Sequence, residues 1–436
     1  MDADELFVVG RANEQVALGN QEGVLHFGGE TFDAEVSAMA SFRPRPRLVL
    51  TCRVLPGDHP LKLVGQFLND RTAQLELRGS SERKDLIIMR VKAGVPSTFE
   101  ATLQRGPLVE GRKSACDKVV FHLLNFPDFL RQREGTRWRN RLVLGDGLFK
   151  VELTAASNHD EVIDGLKAEG GYGITHWGTL TKATGDLIEF GEAESELYKL
   201  HTFLSFARGS WTGLFSPRGI GEDGEVVWAE WGDRLASEWR SPTSWWDRHN
   251  AKALESAYPG FSRRWNEEYW RDVISTAVYW YLRSNAAGSG AGVDGGVILT
   301  QAALEKVAWA RLVEEWKSLS GKGFGRLYPS DQLRLLLSRM GVPLSIPTAM
   351  TGLVSLRSGS NWDGPRTFTE CRNDLVHATK GKWSAGQRVP YYEAWNLGQW
   401  YLELALLHLS GFDGVYSDRS RLGGWVGDVQ EIPWHG

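Results

Sequence analysis

Hydrophobic residues change their spacing near Gly260, and that change limits what the chain can fold into. Before it, from Phe7 to about Leu153, they come in bursts of strand length: RLVLTCRVL at 47–55, DLIIMRV at 85–91 and LFKVEL at 148–153. Gly28-Gly29, Pro56-Gly57-Asp58 and Gly145-Asp146-Gly147 break up these bursts, which predicts an antiparallel sandwich or barrel-like sheet. A helix is expected over 192–208. After it, Trp211, Trp228, Trp231, Trp239, Trp245 and Trp246 stand among turn residues, which predicts an ordered connecting segment. Beyond Gly260 the segments 264–285, 299–319, 331–340, 367–378 and 391–409 all read as helices of a bundle. The last of these is apolar around much of its circumference and belongs at a bundle centre or an interface. The expected fold is therefore α+β, with a β-rich region over 1–210, a Trp-rich connection over 211–259 and an all-α bundle over 260–436.

At 436 residues the chain exceeds the size at which one core usually keeps growing, so two or three domains are expected. Fifty basic against fifty-four acidic residues leave a net charge of −4, which gives no global attraction for a polyanion. Any RNA site must then be local. Cys52, Cys116 and Cys371 lie far apart in no metal-binding spacing, an odd count that suits a reducing cytosol. The opening Met-Asp-Ala-Asp-Glu-Leu is acidic where a signal peptide would be basic, and no run of about 20 apolar residues occurs. A cytoplasmic location with no membrane contact is expected. The GAGVDG stretch at 290–295 satisfies G-x-G-x-x-G, but it lies between two predicted helices and not after a strand, so no dinucleotide is expected there. Neither a phosphate-loop sequence nor an H-E-x-x-H or paired C-x-x-C pattern is present, so no cofactor and no metal are expected. His176 and His201 read as solitary structural histidines.

Chemistry concentrates in residues 364–380, GPRTFTECRNDLVHATK. Pro365 ahead of Thr367, with Glu370 three residues later, predicts a helix opened by a capping box. At about 100° per residue, Phe368, Cys371 and Leu375 share one face, and Asn373 and His377 lie one turn apart on another. Arg372 sits between the faces, so its stem can lie along apolar surface while the guanidinium turns toward Asn373 and His377. An imidazole titrating near neutrality can take a proton from a ribose 2′-hydroxyl or give one to the leaving 5′-oxygen. A guanidinium can hold charge developing on the phosphate. Asn373 would either bind the phosphate or orient the imidazole. The competing reading is structural: Arg372 paired with a carboxylate and His377 on a plain surface.

Arg-Asn-x-x-x-His on a late bundle helix resembles the R-x4-6-H motif of the HEPN superfamily. The segments AVYWYLRSN at 277–285, VILTQAALE at 297–305 and LSGFDGVY at 409–416 extend the likeness to the ApeA-type HEPN proteins of bacterial anti-phage defence, over roughly 265–436. The resemblance implies a helical bundle that dimerises with its motif helices facing each other, so that two copies build one RNA-cutting cleft. It implies a metal-independent endoribonuclease with Arg372, Asn373 and His377 at the site, acting on tRNA or other host RNA to stop an infection. It also allows a non-catalytic member that binds a nucleotide or a protein. Glu305, in apolar company on the helix over 299–319, is a supporting residue that could pair with Arg372. The front half would serve as a sensor; a phage-derived trigger, a nucleotide or RNA itself would each suit it.

In that front half, Arg131, Arg133, Arg137, Arg139 and Arg141 cluster around Trp138. In a strand, Arg137, Arg139 and Arg141 would project from one face as an RNA-binding stripe, or would guard a solvated sheet edge against aggregation. Asp233, Glu238 and Asp247 near the tryptophans would be needed for a carbohydrate-cleaving role, which the sequence does not otherwise favour.

Overall fold

The computed structural model describes residues 10–54, 67–80, 82–129, 132–134, 137–139, 141–232, 235–286, 292–356, 360–377, 389–421, 425 and 427–435. The chain is mixed α and β, β-rich in its first half and helical in its second. Six antiparallel strands come first: β1 (Val16–Phe27), β2 (Glu30–Ser41), β3 (Arg47–Val54), β4 (Thr72–Leu77), β5 (Arg83–Lys92) and β6 (Thr98–Leu103). They close into a barrel in the order β1-β2-β3-β6-β5-β4. Alternate side chains point inward, so Leu25, Val36, Leu50, Leu75, Ile88 and Phe99 fill the interior. Gly28 and Gly29 both take positive φ in the two-residue turn between β1 and β2, the backbone that a tight hairpin with right-handed strand twist requires.

A seven-stranded antiparallel sheet follows, built from β7 (Leu108–Gly111), β8 (Lys118–Leu124), β11 (Arg141–Gly145), β12 (Phe149–Ala155), β13 (Ile174–Lys182), β14 (Gly213–Ile220) and β15 (Val226–Trp231). Its order is β11-β12-β13-β8-β14-β15-β7. A separate hairpin, β9 (Gln132–Glu134) with β10 (Arg137–Arg139), stands between β8 and β11 in sequence. Helix α1 (His159–Glu169) joins β12 to β13, and α2 (Phe190–Arg208) joins β13 to β14.

The structure draws two boundaries differently from the sequence, and the expected start of the bundle at 260 falls inside a helix, Ala251–Trp265. The expected break at 210 falls inside this sheet, because β14 and β15 belong to it and the Trp-rich stretch is partly strand. Trp228 and Trp231 lie on opposite faces of β15 and are both buried, the first in the core shared with the helices and the second in the core of the barrel.

The helical part comprises α3 (Ala251–Trp265), α4 (Glu268–Asn285), α5 (Gly292–Trp309), α6 (Gly321–Phe324), α7 (Pro329–Arg339), α8 (Thr351–Leu356), α9 (Gly364–Val376) and α10 (Tyr391–Leu409). A π-helical stretch, Ala310–Glu315, continues α5. Helix α10 is buried along almost its whole length, as its all-round apolar character requires. Gly398 lets it approach α9: a Cβ there would lie 2.4 Å from the Phe368 ring. One face of the sheet and the bundle share a continuous core, from Val109 and Phe121 through Leu204 to Leu404. The barrel has its own core, which also takes in Leu124, Phe215 and Trp231 from the sheet's other face. Among the described residues no helix is long and apolar enough to cross a membrane.

Candidate functional site

Helix α9 is fixed at its N-terminus by Asp363. That carboxylate accepts from Arg366 N at 2.9 Å, and from the Arg334 guanidinium of α7 at 2.6 and 3.1 Å. The expected capping box at Thr367 and Glu370 is therefore replaced by a start three residues earlier. Pro365 fits the first turn, where its missing N–H costs nothing, and extended Asp363 supplies the cap. Glu370 instead pairs with Arg366 one turn back, at 2.6 Å. Phe368 and Cys371 are fully buried and Leu375 packs against the same core, as the periodicity predicts.

The other face carries the motif. Arg372 and Asn373 are half-buried, and Arg372 Nη1 donates to Asn373 Oδ1 at 3.3 Å. Among the described residues Arg372 forms no ion pair, and its buried Nε has no partner. The helix ends at Val376, before the expected 378. His377 leaves it in an extended conformation, with its N–H still bonded to Asn373 O at 2.9 Å. Its side chain is exposed. Next to the motif, Asp374 accepts from the Tyr391 hydroxyl, and burial followed by that bond holds the phenol well above its ordinary pKa.

Glu305 does not meet Arg372 among the described residues. Its carboxylate accepts from Gln301 Nε2, one turn back on α5, at 2.7 Å. The arginine stripe is also divided. Arg137 and Arg139 lie in the small hairpin, with side chains outside the described residues, and Arg131 lies outside them altogether. Arg141 starts β11 at the edge of the seven-stranded sheet. Its pairing opposite Thr154 sets it beside Glu152, with which it forms an ion pair, so its charge is already matched. Asp233 is not among the described residues. Glu238 accepts from Gly171 N and Asp247 from His249 N, so both serve the backbone. His201 stacks on Trp211 with ring centres 5.4 Å apart. His176 is not solitary: its ring meets that of His159 at 5.1 Å.

With this geometry in place, two family models match the chain. One described as the YopA central domain covers residues 111–242, and one described as the YopA C-terminal domain covers 267–431. These are the seven-stranded sheet and the helical bundle. The chain resembles YopA. It is 23% identical, over 97% of its length and 95% of the relative's, to the SPbeta prophage-derived uncharacterized protein YopA of Bacillus subtilis (strain 168). No solved structure matches. The YopA likeness thus spans all three parts of the fold, the barrel included.

Proposed function

We propose that this chain is a metal-independent endoribonuclease of the HEPN type, acting on tRNA or other host RNA in anti-phage abortive infection. The observation that supports it is at the end of α9, where an exposed imidazole, His377, stands five residues from a half-buried arginine that has no acidic partner among the described residues. A guanidinium without a carboxylate is free to take a phosphate. His377 removes the ribose 2′-proton, the 2′-oxygen attacks phosphorus, and the 5′-oxygen leaves with a proton from an acid. The products carry a 2′,3′-cyclic phosphate and a 5′-hydroxyl. A second copy supplies that acid when two α9 ends face each other. Val376 and Tyr392, both exposed apolar residues near the site, offer surface for such a dimer.

The test is cleavage of total tRNA in EDTA by the full-length protein, with end mapping. His377→Ala is expected to lower the rate by about 10²- to 10⁴-fold and Arg372→Ala by about 10²- to 10³-fold, with the far-UV spectrum unchanged. Retained cutting in both variants removes the assignment. A dimer that binds RNA, nucleotide or protein and cuts nothing, even with lysate of phage-infected cells added, establishes the alternative of a non-catalytic HEPN-fold binding module.

A further inference from the structure

A second cluster lies about the central sheet and does not depend on the ribonuclease reading. Asp128, His159 and His176 each offer one donor atom, and the three atoms lie within 4.8 Å of one another. His176 is completely buried and His159 is 6% exposed, while Asp128 is half-buried. They come from three elements: the loop after β8, the first residue of α1, and β13. A bulge in the pairing of β13 with β8, between Ile174 and His176, lets the adjacent Thr175 and His176 both turn inward. Asn125 holds the loop by accepting from Gly173 N and donating to Gly171 O and Ser237 O, all within 3.0 Å. Phe126 and Phe129 close round the His176 ring at 5.7 and 4.9 Å.

Each Nδ1 has an oxygen in hydrogen-bond reach. The Thr175 hydroxyl lies within hydrogen-bond reach of Leu123 O, at 3.3 Å, and its oxygen accepts from Phe126 N. With the hydroxyl proton on Leu123 O, His176 Nδ1, 3.0 Å from the hydroxyl oxygen, donates to it. His159 Nδ1 lies 3.2 Å from an Asp160 carboxylate oxygen, which can only accept. In that tautomer each ring presents a bare lone pair on Nε2, and both Nε2 atoms are buried without a partner among the described residues. Two unpaired acceptors beside a carboxylate call for a positive charge. Imidazole ligands select a transition ion over magnesium or calcium, and an Nδ1–H held by an oxygen acceptor is the usual support of a metal-bound histidine.

We propose that Asp128, His159 and His176 bind a divalent first-row transition-metal ion of the zinc class, with water or an anion completing the shell. Tetrahedral zinc with bonds of about 2.1 Å has ligand–ligand edges of about 3.4 Å, so the trio, within 4.8 Å of one another, closes on the ion by a small movement. Asp128 also lines a cavity of about 320 Å³ together with Lys167, Arg208, Arg240 and Trp246. Bound there, it fastens the loop after β8 and the start of α1 to the sheet.

The experiment uses tag-free, full-length protein. It combines metal analysis of the purified chain, Zn²⁺ and Co²⁺ titration after chelator treatment, and the visible spectrum of the Co²⁺ form. About one ion per chain and cobalt bands of a low-symmetry site are expected. His159→Gln and Asp128→Asn should each weaken Zn²⁺ binding at least about tenfold. Zn²⁺ should also raise the melting temperature of the wild type and not of the variants. If His159→Gln fails to fold, half-exposed Asp128→Asn decides alone. No Zn²⁺ or Co²⁺ binding by folded wild type, or equal binding by the variants, overturns the proposal.

Discussion

His122 shows how much one residue's surroundings set its chemistry. It sits on β8 inside the sheet, and burial, then the nearby Arg218 charge, push its pKa down to about 3. The unfolded chain titrates it near 6.5, so between about pH 6.5 and 3 the unfolded state holds a proton that the folded state refuses. Stability from this group is full above pH 6.5 and falls on acidification, by about 1.4 kcal/mol at pH 5.5 relative to pH 8. Urea midpoints of the wild type should drop over that range, and His122→Leu should show a shallower drop by that amount. The residues of the motif were legible in the sequence because Phe368, Cys371 and Leu375 repeat at helical spacing and so fix where Arg372 and Asn373 point. Where the helix stops was not legible, since nothing in the sequence marks Val376 as its last residue. The trio of Asp128, His159 and His176 was invisible for a different reason. Its members lie 31 and 17 residues apart and are brought together only by the pairing of β13 with β8 and the bulge within it.

At the scale of elements, the site depends on how α9 is seated. Gly398 of α10 faces the Phe368 ring, and an added Cβ would come within 2.4 Å of one ring carbon and 3.0 Å of Thr300 Cγ2. Phe368 is fully buried and has no room to retreat. Gly398→Ala is therefore expected to lower stability by roughly 1–3 kcal/mol, through overpacking, and to shift α9 with its motif. Chemical denaturation measures the first effect. On the proposed ribonuclease function, the tRNA assay measures the second, as reduced cutting at temperatures where the variant is still folded. The span of α10, 391–409, agrees with its apolar pattern. Helix α3 was not anticipated, because the Trp-rich stretch up to 259 read as a connection, whereas its buried face of Ala253, Leu254, Ala257 and Phe261 packs on the shared core. The π-helical turn after α5 was equally hidden; it carries Arg311, whose guanidinium lies 4.3 Å over Trp316.

Across the whole molecule, the sheet and bundle should behave as one cooperative unit, because they share one core and a buried ion pair of the bundle reaches, through Asn285, the end of α2 beside the sheet. Arg419 and Glu403 are 1% and 0% exposed and lie 2.7 Å apart. Glu403 also accepts from the Tyr281 hydroxyl at 2.6 Å. Arg419 reaches Thr243 O at 2.5 Å and Asn285 Oδ1 at 3.1 Å, and the Asn285 amide donates to Gly209 O at 2.8 Å. Five separate stretches thus meet: the end of α2, the segment before α3, α4, α10 and the chain after it. Arg419→Met would leave the Glu403 carboxylate buried without its cation, at a cost of about 3–5 kcal/mol. The double variant Arg419→Met with Glu403→Met should recover much of that loss, since two apolar groups need no partner. Hydrogen exchange then separates a local bundle defect from a global one. In Arg419→Met, protection in β8 and in α10 should fall together, as one core requires, while β2 and β3 of the barrel, with their own core, should keep more of theirs. Loss of protection confined to α10 would mean that the continuous core does not act as one.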